Sequence, residues 1–190
     1  MKISKMLDLS QVDKNWTLFL DRDGVINRDM HPYTLHKSKF VFYEGVLDAL
    51  KIFNGIFRHI IIVTNQRGVG RKLMTEADLI DIHDFMRGEI INSGGRIDDI
   101  YYCTSIDNDH PNRKPNPGMA LEAMKKYPLI SKEHSIMVGN NLSDMQFGRN
   151  AGLHTVLLTT TGVSVELPDP LVDLQFGSLS EFAKALNESR

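Results

Sequence analysis

Two aspartates, Asp21 and Asp23, stand one residue apart directly after the apolar run Trp16-Thr17-Leu18-Phe19-Leu20, and Gly24 follows them. Residues i and i+2 of an extended segment project to the same side, so both carboxylates can converge on one site. Held together in a crevice they repel, which is tolerable if a divalent cation sits between them or if their pKa values are driven apart. Taken alone, the string fits a surface turn equally well, with Asp21 capping the loop and Asp23-Gly24 forming a tight turn. Three further apolar runs also end in polar clusters. These are Thr64-Asn65-Gln66 after HIIIV, Arg113-Lys114-Pro115 in the loop after IYYC, and Gly139-Asn140-Asn141-Leu142-Ser143-Asp144 after SIMV. A nucleophilic carboxylate, a hydroxyl or amide donor, a fixed cation and a metal-ligand loop are the parts that phosphoryl transfer requires.

Such residues must be held by a framework, and the chain supplies a regular one. Strands are expected at 16–20, 59–63, 100–103, 135–138 and 155–158, because these short runs are rich in β-branched residues and mostly lack alternation, as in strands buried on both faces. Helices are expected at 44–53, at 76–91 with Thr75 as N-cap, at 117–127 entered through Asn116-Pro117, at 142–151 before Gly152, and at 180–186. This alternation predicts an α/β fold: a doubly wound, Rossmann-like parallel sheet of about five strands with helices on both faces. In such sheets the reactive crevice lies at the carboxyl ends of the strands, and Asp21 falls just past the end of the first.

With 190 residues, 42% of them hydrophobic, the chain suits a single domain, 1–190, in which 1–15 is an N-terminal extension. A net charge of −2 offers no basic stripe, so a nucleic-acid partner is not expected. The single cysteine, Cys103, rules out an internal disulfide and fits a reducing compartment. No apolar run has the length of a leader or a membrane span, so the expected location is cytoplasmic, with no membrane partner.

The segments DRDGVIN, TNQ, RKPNPGM and VGNNLSDMQ, in this order, resemble the four motifs of the haloacid dehalogenase superfamily of phosphatases. FVFYEGVLDAL, MTEADLIDIHDFM and IYYC make the chain similar to its small heptose 1,7-bisphosphate and histidinol-phosphate phosphatases. The resemblance covers residues 16–162. It implies a HAD-like fold without a large cap domain, and Mg²⁺-dependent hydrolysis of a phosphomonoester through an aspartyl phosphate. Asp21 would be the nucleophile, Asp23 the acid and base, and Thr64 and Lys114 the holders of the transferring oxygens. Mg²⁺ would be bound by Asp21, by the backbone carbonyl of Asp23, and by the fourth motif through Asn140 and Asp144. Asn65, Gln66, Arg67, Arg113 and Asn141 would contact the substrate, a small sugar phosphate, in an enzyme working as a monomer. The expected substrate is D-glycero-D-manno-heptose 1,7-bisphosphate, losing its 7-phosphate, with histidinol phosphate as the alternative.

Two positions depart from the family. Where the pattern VGDxxxD has its first aspartate, this chain has Asn140, which offers a carbonyl oxygen but no charge, so metal affinity should fall. If the change silences catalysis, a sugar-phosphate-binding protein remains. Relatives often carry zinc-binding cysteines just before RKP; with Cys103 alone, no structural zinc is expected here. The reading makes Cys103 a small buried residue and His110 a solvated loop histidine, leaving residues 104–112 to be ordered by other contacts or to be mobile. The basic, glycine-containing segment 67–72 is a candidate for binding a distal phosphate. Arg28, His31 and Tyr33 lie in a loop where residue matching is unsafe, and His83 is assigned to packing or surface.

Overall fold

In the computed structural model, which describes residues 7–30 and 33–190, six strands form one sheet. They are β1 (Thr17–Leu20), β2 (His59–Asn65), β3 (Asp99–Cys103), β4 (Ser135–Gly139), β5 (His154–Leu158) and β6 (Leu174–Phe176). All pair in parallel in the order β3-β2-β1-β4-β5-β6. His31 lies outside the described residues.

The helices are α1 (Val46–Ile56), α2 (Arg67–Gly70), α3 (Glu76–Asn92), α4 (Gly118–Lys126), α5 (Leu142–Ala151) and α6 (Leu179–Glu188). Strand periodicity sorts the core between the two faces of the sheet. Leu18, Leu20, Ile60 and Ile62 pack with residues of α1, α3 and α6, including Leu50, Phe53, Met86 and Phe182. Phe19, Ile61 and Val63 point the other way, onto Met119 and Ala123 of α4 and Phe147 of α5. The expected double winding is therefore present. The chain leaves β1 toward β2 and β3, then crosses to β4 and β5, so the order reverses between β1 and β4, where a crevice opens at the strand ends.

Three features differ from the sequence reading. The sixth strand is only Leu-Gln-Phe, half-buried and without a β-branched residue, so periodicity does not mark it; β5 supplies its pairing. The four-residue helix α2 occupies part of the segment read as a phosphate-binding loop. Residues 7–15 do more than extend the chain, because Leu7 and Val12 are buried in the core on either side of a 3₁₀ turn at Leu9–Gln11.

Asp173 fastens the β5 edge to α5. Its carboxylate accepts from Arg149 Nη1 and Nη2 at 2.9 and 2.7 Å and from the Thr155 N–H at 2.9 Å. Burial alone would raise this carboxyl, but hydrogen bonds from His154, Arg149 and the Thr155 N–H outweigh burial and bring it from 3.8 down to about 2. A carboxylate more acidic in the folded chain stabilises it above the unfolded pKa, and that stability is lost as pH falls through the folded value. Asp173→Asn is therefore expected to lower the urea midpoint at neutral pH, and the gap to the native protein should close as pH falls from 3.8 toward about 2. Urea titrations at a series of pH values check this; a gap independent of pH would show that the carboxylate charge is not what holds the edge.

Candidate active site

The first carboxylate is placed by backbone pairing that runs past the strand. Asp21 N–H donates to the Val138 carbonyl at 3.0 Å, continuing the β1–β4 ladder by one residue. Its Oδ1 accepts from the Arg22 N–H at 2.7 Å and lies 2.9 Å from Lys114 Nζ. Lys114 Nζ is also 2.7 Å from Asp144 Oδ1, so one buried ammonium bridges carboxylates from two different strand ends.

Asp144 has a further task. It sits in the first turn of α5, and its Oδ2 accepts from the N–H groups of Asn140 and Asn141 at 3.2 and 3.1 Å, completing a capping box. Both of its oxygens are thus engaged within the protein. Asp144, expected to bind metal, also clamps Lys114 and the Asn140 backbone. Lys114 is fixed from its other side by Asn65, which exchanges two hydrogen bonds with the Lys114 backbone: Nδ2 to the carbonyl at 3.1 Å, and Oδ1 from the N–H at 3.0 Å. Asn65, expected against substrate, spends its amide on holding the lysine.

The second carboxylate lies in a different environment. Arg22, 1% exposed, donates through Nη2 to Asp23 Oδ1 and Oδ2 at 2.9 and 2.8 Å. Asn27 Nδ2 donates to Oδ1 at 2.9 Å, and Gln66 Nε2 to Oδ2 at 2.8 Å. The Gln66 amide also donates to Thr64 Oγ1 at 2.9 Å, which uses a lone pair of the hydroxyl and leaves its proton available to a ligand. Beneath Arg22 lies His83 on α3, whose Nε2 is 3.1 Å from Arg22 Nη1. Burial and then the Arg22 charge push its pKa down to about 3, so the imidazole is neutral and accepts from the guanidinium. Arg22 was not singled out in the sequence, and His83 was assigned to packing or surface.

These surroundings separate the two acids. Burial, against the pull of Lys114 and with the added repulsion of Asp144 and Asp23, raises Asp21 to about 7. Asp23 is shifted the opposite way: burial is outweighed by the Arg22 charge and by hydrogen bonds from Arg22, Asn27 and Gln66, which lower it. Lys114 is held protonated against burial by Asp144 and Asp21. When Asp21 is ionised, two carboxylates face one ammonium here, and a divalent cation would balance the excess negative charge and favour that ionised form.

The donor set fits such a cation. Asn140 is 6% exposed, and its Oδ1 is buried without a hydrogen-bond partner among the described residues. Its amide lies against the backbone of residue 24, where a Cβ would fall 2.2 Å from Asn140 Nδ2; only glycine allows this approach, and Gly24 also has φ +85°. An unpartnered carbonyl oxygen beside Asp21 and Asp23 is the kind of ligand a hard cation takes.

Asp21, Asp23, Thr64, Lys114, Asn140 and Asp144 all line one cavity of about 280 Å³, and Asn65, Gln66 and Asn141 reach it too. Asn141 is chiefly the N-cap of α5, accepting from the Ser143 N–H at 3.1 Å. Arg67 and Arg113 lie outside the cavity lining. Arg67 bonds Asn108, and Arg113 donates to the Ser105 carbonyl at 3.2 Å. Tyr33 lines the cavity, with the Arg71 guanidinium over its ring.

The loop 104–112 is ordered by hydrogen bonds. His110 Nδ1 lies 3.6 Å from Cys103 Sγ and accepts from the Asn112 N–H at 3.2 Å, while Asn116 Nδ2 donates to the His110 and Asn108 carbonyls at 3.0 and 3.3 Å. His110 is exposed, as expected of a solvated loop histidine, and in addition anchors the loop through these contacts. Gly70 brings α2 against this loop, since a Cβ there would sit 2.1 Å from the Thr104 carbonyl oxygen. Close packing is the role of the glycine in that segment.

Comparison with known proteins agrees with this geometry. A HAD-hydrolase-like family model matches residues 111–170. The chain is 40% identical over 157 residues to the D-glycero-alpha-D-manno-heptose-1,7-bisphosphate 7-phosphatase of Burkholderia mallei (strain ATCC 23344), covering 76% of this chain and 80% of that one. It is 32% identical over 182 residues to the D-glycero-beta-D-manno-heptose-1,7-bisphosphate 7-phosphatase of Yersinia pestis, covering 89% and 94% of the two chains. The crystal structure of the D,D-heptose 1,7-bisphosphate phosphatase from B. bronchiseptica, complexed with magnesium and phosphate, superposes with a TM-score of 0.81 at 26% identity, over 92% of this chain and 99% of that one. A carboxylate at the switch point, a lysine bridged to it from a second loop, and these relatives lead to one conclusion: the chain belongs to the haloacid dehalogenase family of phosphatases, with the heptose bisphosphate phosphatases.

Proposed function

We propose that this chain removes the 7-phosphate of D-glycero-D-manno-heptose 1,7-bisphosphate by Mg²⁺-dependent hydrolysis, leaving the 1-phosphate. The observation that carries this reading is the buried Lys114 ammonium bridging Asp21 and Asp144 at 2.9 and 2.7 Å. It keeps a positive charge where the transferring phosphoryl oxygens gather around Asp21.

In the first step an oxygen of Asp21 attacks phosphorus and the bond from phosphorus to the sugar oxygen breaks, giving an aspartyl phosphate. Asp23 donates a proton to the departing oxygen. It then takes a proton from the water that attacks phosphorus, which frees inorganic phosphate and restores Asp21. Arg22 and Gln66 favour ionised Asp23 in the free protein; the negative charge of an arriving phosphate raises its proton affinity, so that it takes up from solvent the proton it then donates. Thr64 donates its free hydroxyl proton to a phosphoryl oxygen, and Lys114 supplies a compact charge. Bound Mg²⁺, held by Asp21, the Asp23 carbonyl and Asn140, would neutralise phosphoryl charge. Asp144 supports that set through Lys114 and the Asn140 N–H.

The distal phosphate has a candidate partner in the basic cluster beyond the cavity. Burial and the positive charges of Arg67 and Arg71 lower the pKa of Arg113, as expected of a cationic group close to like charges and short of an anion. Gln66 and Asn141 face the sugar from the cavity wall in this reading. One domain, working as a monomer on a small sugar phosphate in the cytoplasm, completes it; the buried thiol of Cys103 suits that compartment. Among the described residues no helix is long and apolar enough to cross a membrane.

Asp21→Asn is expected to lower Mg²⁺-dependent phosphate release by at least about 10³-fold while the fold is kept, as loss of a nucleophile does. The assay is phosphate release from both anomers of the bisphosphate and from histidinol phosphate, with circular dichroism to check folding. Release that survives in the variant would exclude Asp21 as the nucleophile, and faster release from histidinol phosphate would exclude the substrate assignment. Asn140→Asp adds a charged ligand and should lower the Mg²⁺ concentration needed for half-maximal rate. An unchanged requirement would remove Asn140 from the metal site.

A further inference from the structure

Asparagine at a metal-ligand position poses a problem that aspartate does not. A carboxylate offers the same oxygen on either side, whereas turning a carboxamide over replaces its oxygen with an N–H donor that repels a cation. Something must choose the orientation, and the loop leaving β5 is placed to do so. Thr161 Oγ1 lies 3.3 Å from the Asn140 backbone carbonyl, to which it donates, and accepts from Asn140 Nδ2 at 3.1 Å. A hydroxyl has a single proton. With that proton committed to the carbonyl, Thr161 presents a lone pair to the side chain, and a lone pair receives only the N–H end of the amide. The oxygen end, Oδ1, then has no partner among the described residues. The neighbouring Thr160 donates to the Gly24 carbonyl at 2.5 Å, tying the same loop to the turn against which the Asn140 amide is wedged.

We infer that Thr161 is a positioning residue: through its hydrogen-bonded hydroxyl it sets the Asn140 carboxamide so that Oδ1, and not Nδ2, faces the cation. The inference rests on the Mg²⁺ reading above and concerns how this chain keeps a metal site without the usual aspartate. Thr161 is exposed, so replacing it spares the core.

Mn²⁺ is the probe, and its free concentration is read from the electron paramagnetic resonance signal as the protein is titrated, so no turnover is needed. Thr161→Val should weaken Mn²⁺ binding by about 10-fold or more, the usual consequence of losing a partner that orients a metal ligand. Thr161→Ser, which keeps the hydroxyl, should bind as the native chain does. In an Asn140→Asp background the same Thr161→Val change should cost little, because both carboxylate oxygens can serve. If Thr161→Val folds poorly, Thr161→Ala removes the hydroxyl without a branched methyl and gives the same readout. Native-like binding by the hydroxyl-free variants would overturn the inference, as would an equal loss in the Asn140→Asp background, which would mean that Thr161 only supports the loop. Failure of both the native chain and Asn140→Asp to bind Mn²⁺ saturably would instead overturn the metal reading itself.

Discussion

A single ammonium, buried between two carboxylates that arrive from different strand ends, is the constraint on which the rest of the site depends. Lys114 reaches Asp21 at 2.9 Å and Asp144 at 2.7 Å, and it is 4% exposed. Removing one partner from such a buried group costs about 3–5 kcal/mol, because it leaves a charge that water cannot reach. The neighbouring structure is arranged to keep all three together. Asn65 pins the Lys114 backbone, the β1–β4 ladder extends to Asp21, and the capping box of α5 orients Asp144. A helix cap and a catalytic charge are thus served by the same side chain, so the start of α5 cannot drift without moving the lysine.

The two acids of the first motif acquire opposite characters from opposite settings. Burial, with two like charges set against one shared cation, raises the pKa of Asp21 to about 7. Asp23 receives three side-chain donors, Arg22, Asn27 and Gln66, which hold it ionised. A divalent cation beside Asp21 would favour the ionised form that its proposed attack needs, and an arriving phosphate would raise Asp23 toward its acid form. His83 extends this arrangement one layer deeper: a neutral imidazole beneath a buried guanidinium satisfies one of its donors without adding charge.

The site is also open to the loops that surround it. α2 and the 104–112 loop are packed together through Gly70, and Arg67 reaches Asn108 across the same junction. This brings Arg67, Arg71 and Arg113 near one another on rigid supports, so a cationic surface is built without a separate cap over the cavity. Like charges brought close in this way raise the electrostatic potential there and favour an anion.

The sequence by itself determined the α/β alternation, the crevice at the strand ends and four polar clusters, from which Asp21, Asp23, Thr64 and Lys114 could be named. Parallel strands buried on both faces need apolar runs that stand out from amphipathic helices, and polar residues at the ends of such runs have no packing reason to be there. The individual partners were decided only by the tertiary structure. Arg22 meets His83 across 61 residues and Asn140 meets Thr161 across 21, distances in the chain that no local period spans. β6, three half-buried residues, has no pattern of its own and exists because β5 offers an edge to pair with. The type and spacing of Asp144 mark it for the site, but its contact with Lys114 at 2.7 Å follows from the sheet order that brings the two loops together. Residue type limits what a side chain can do, but the order in which strands are laid side by side selects what it meets, and that order is set by the burial of the whole sheet.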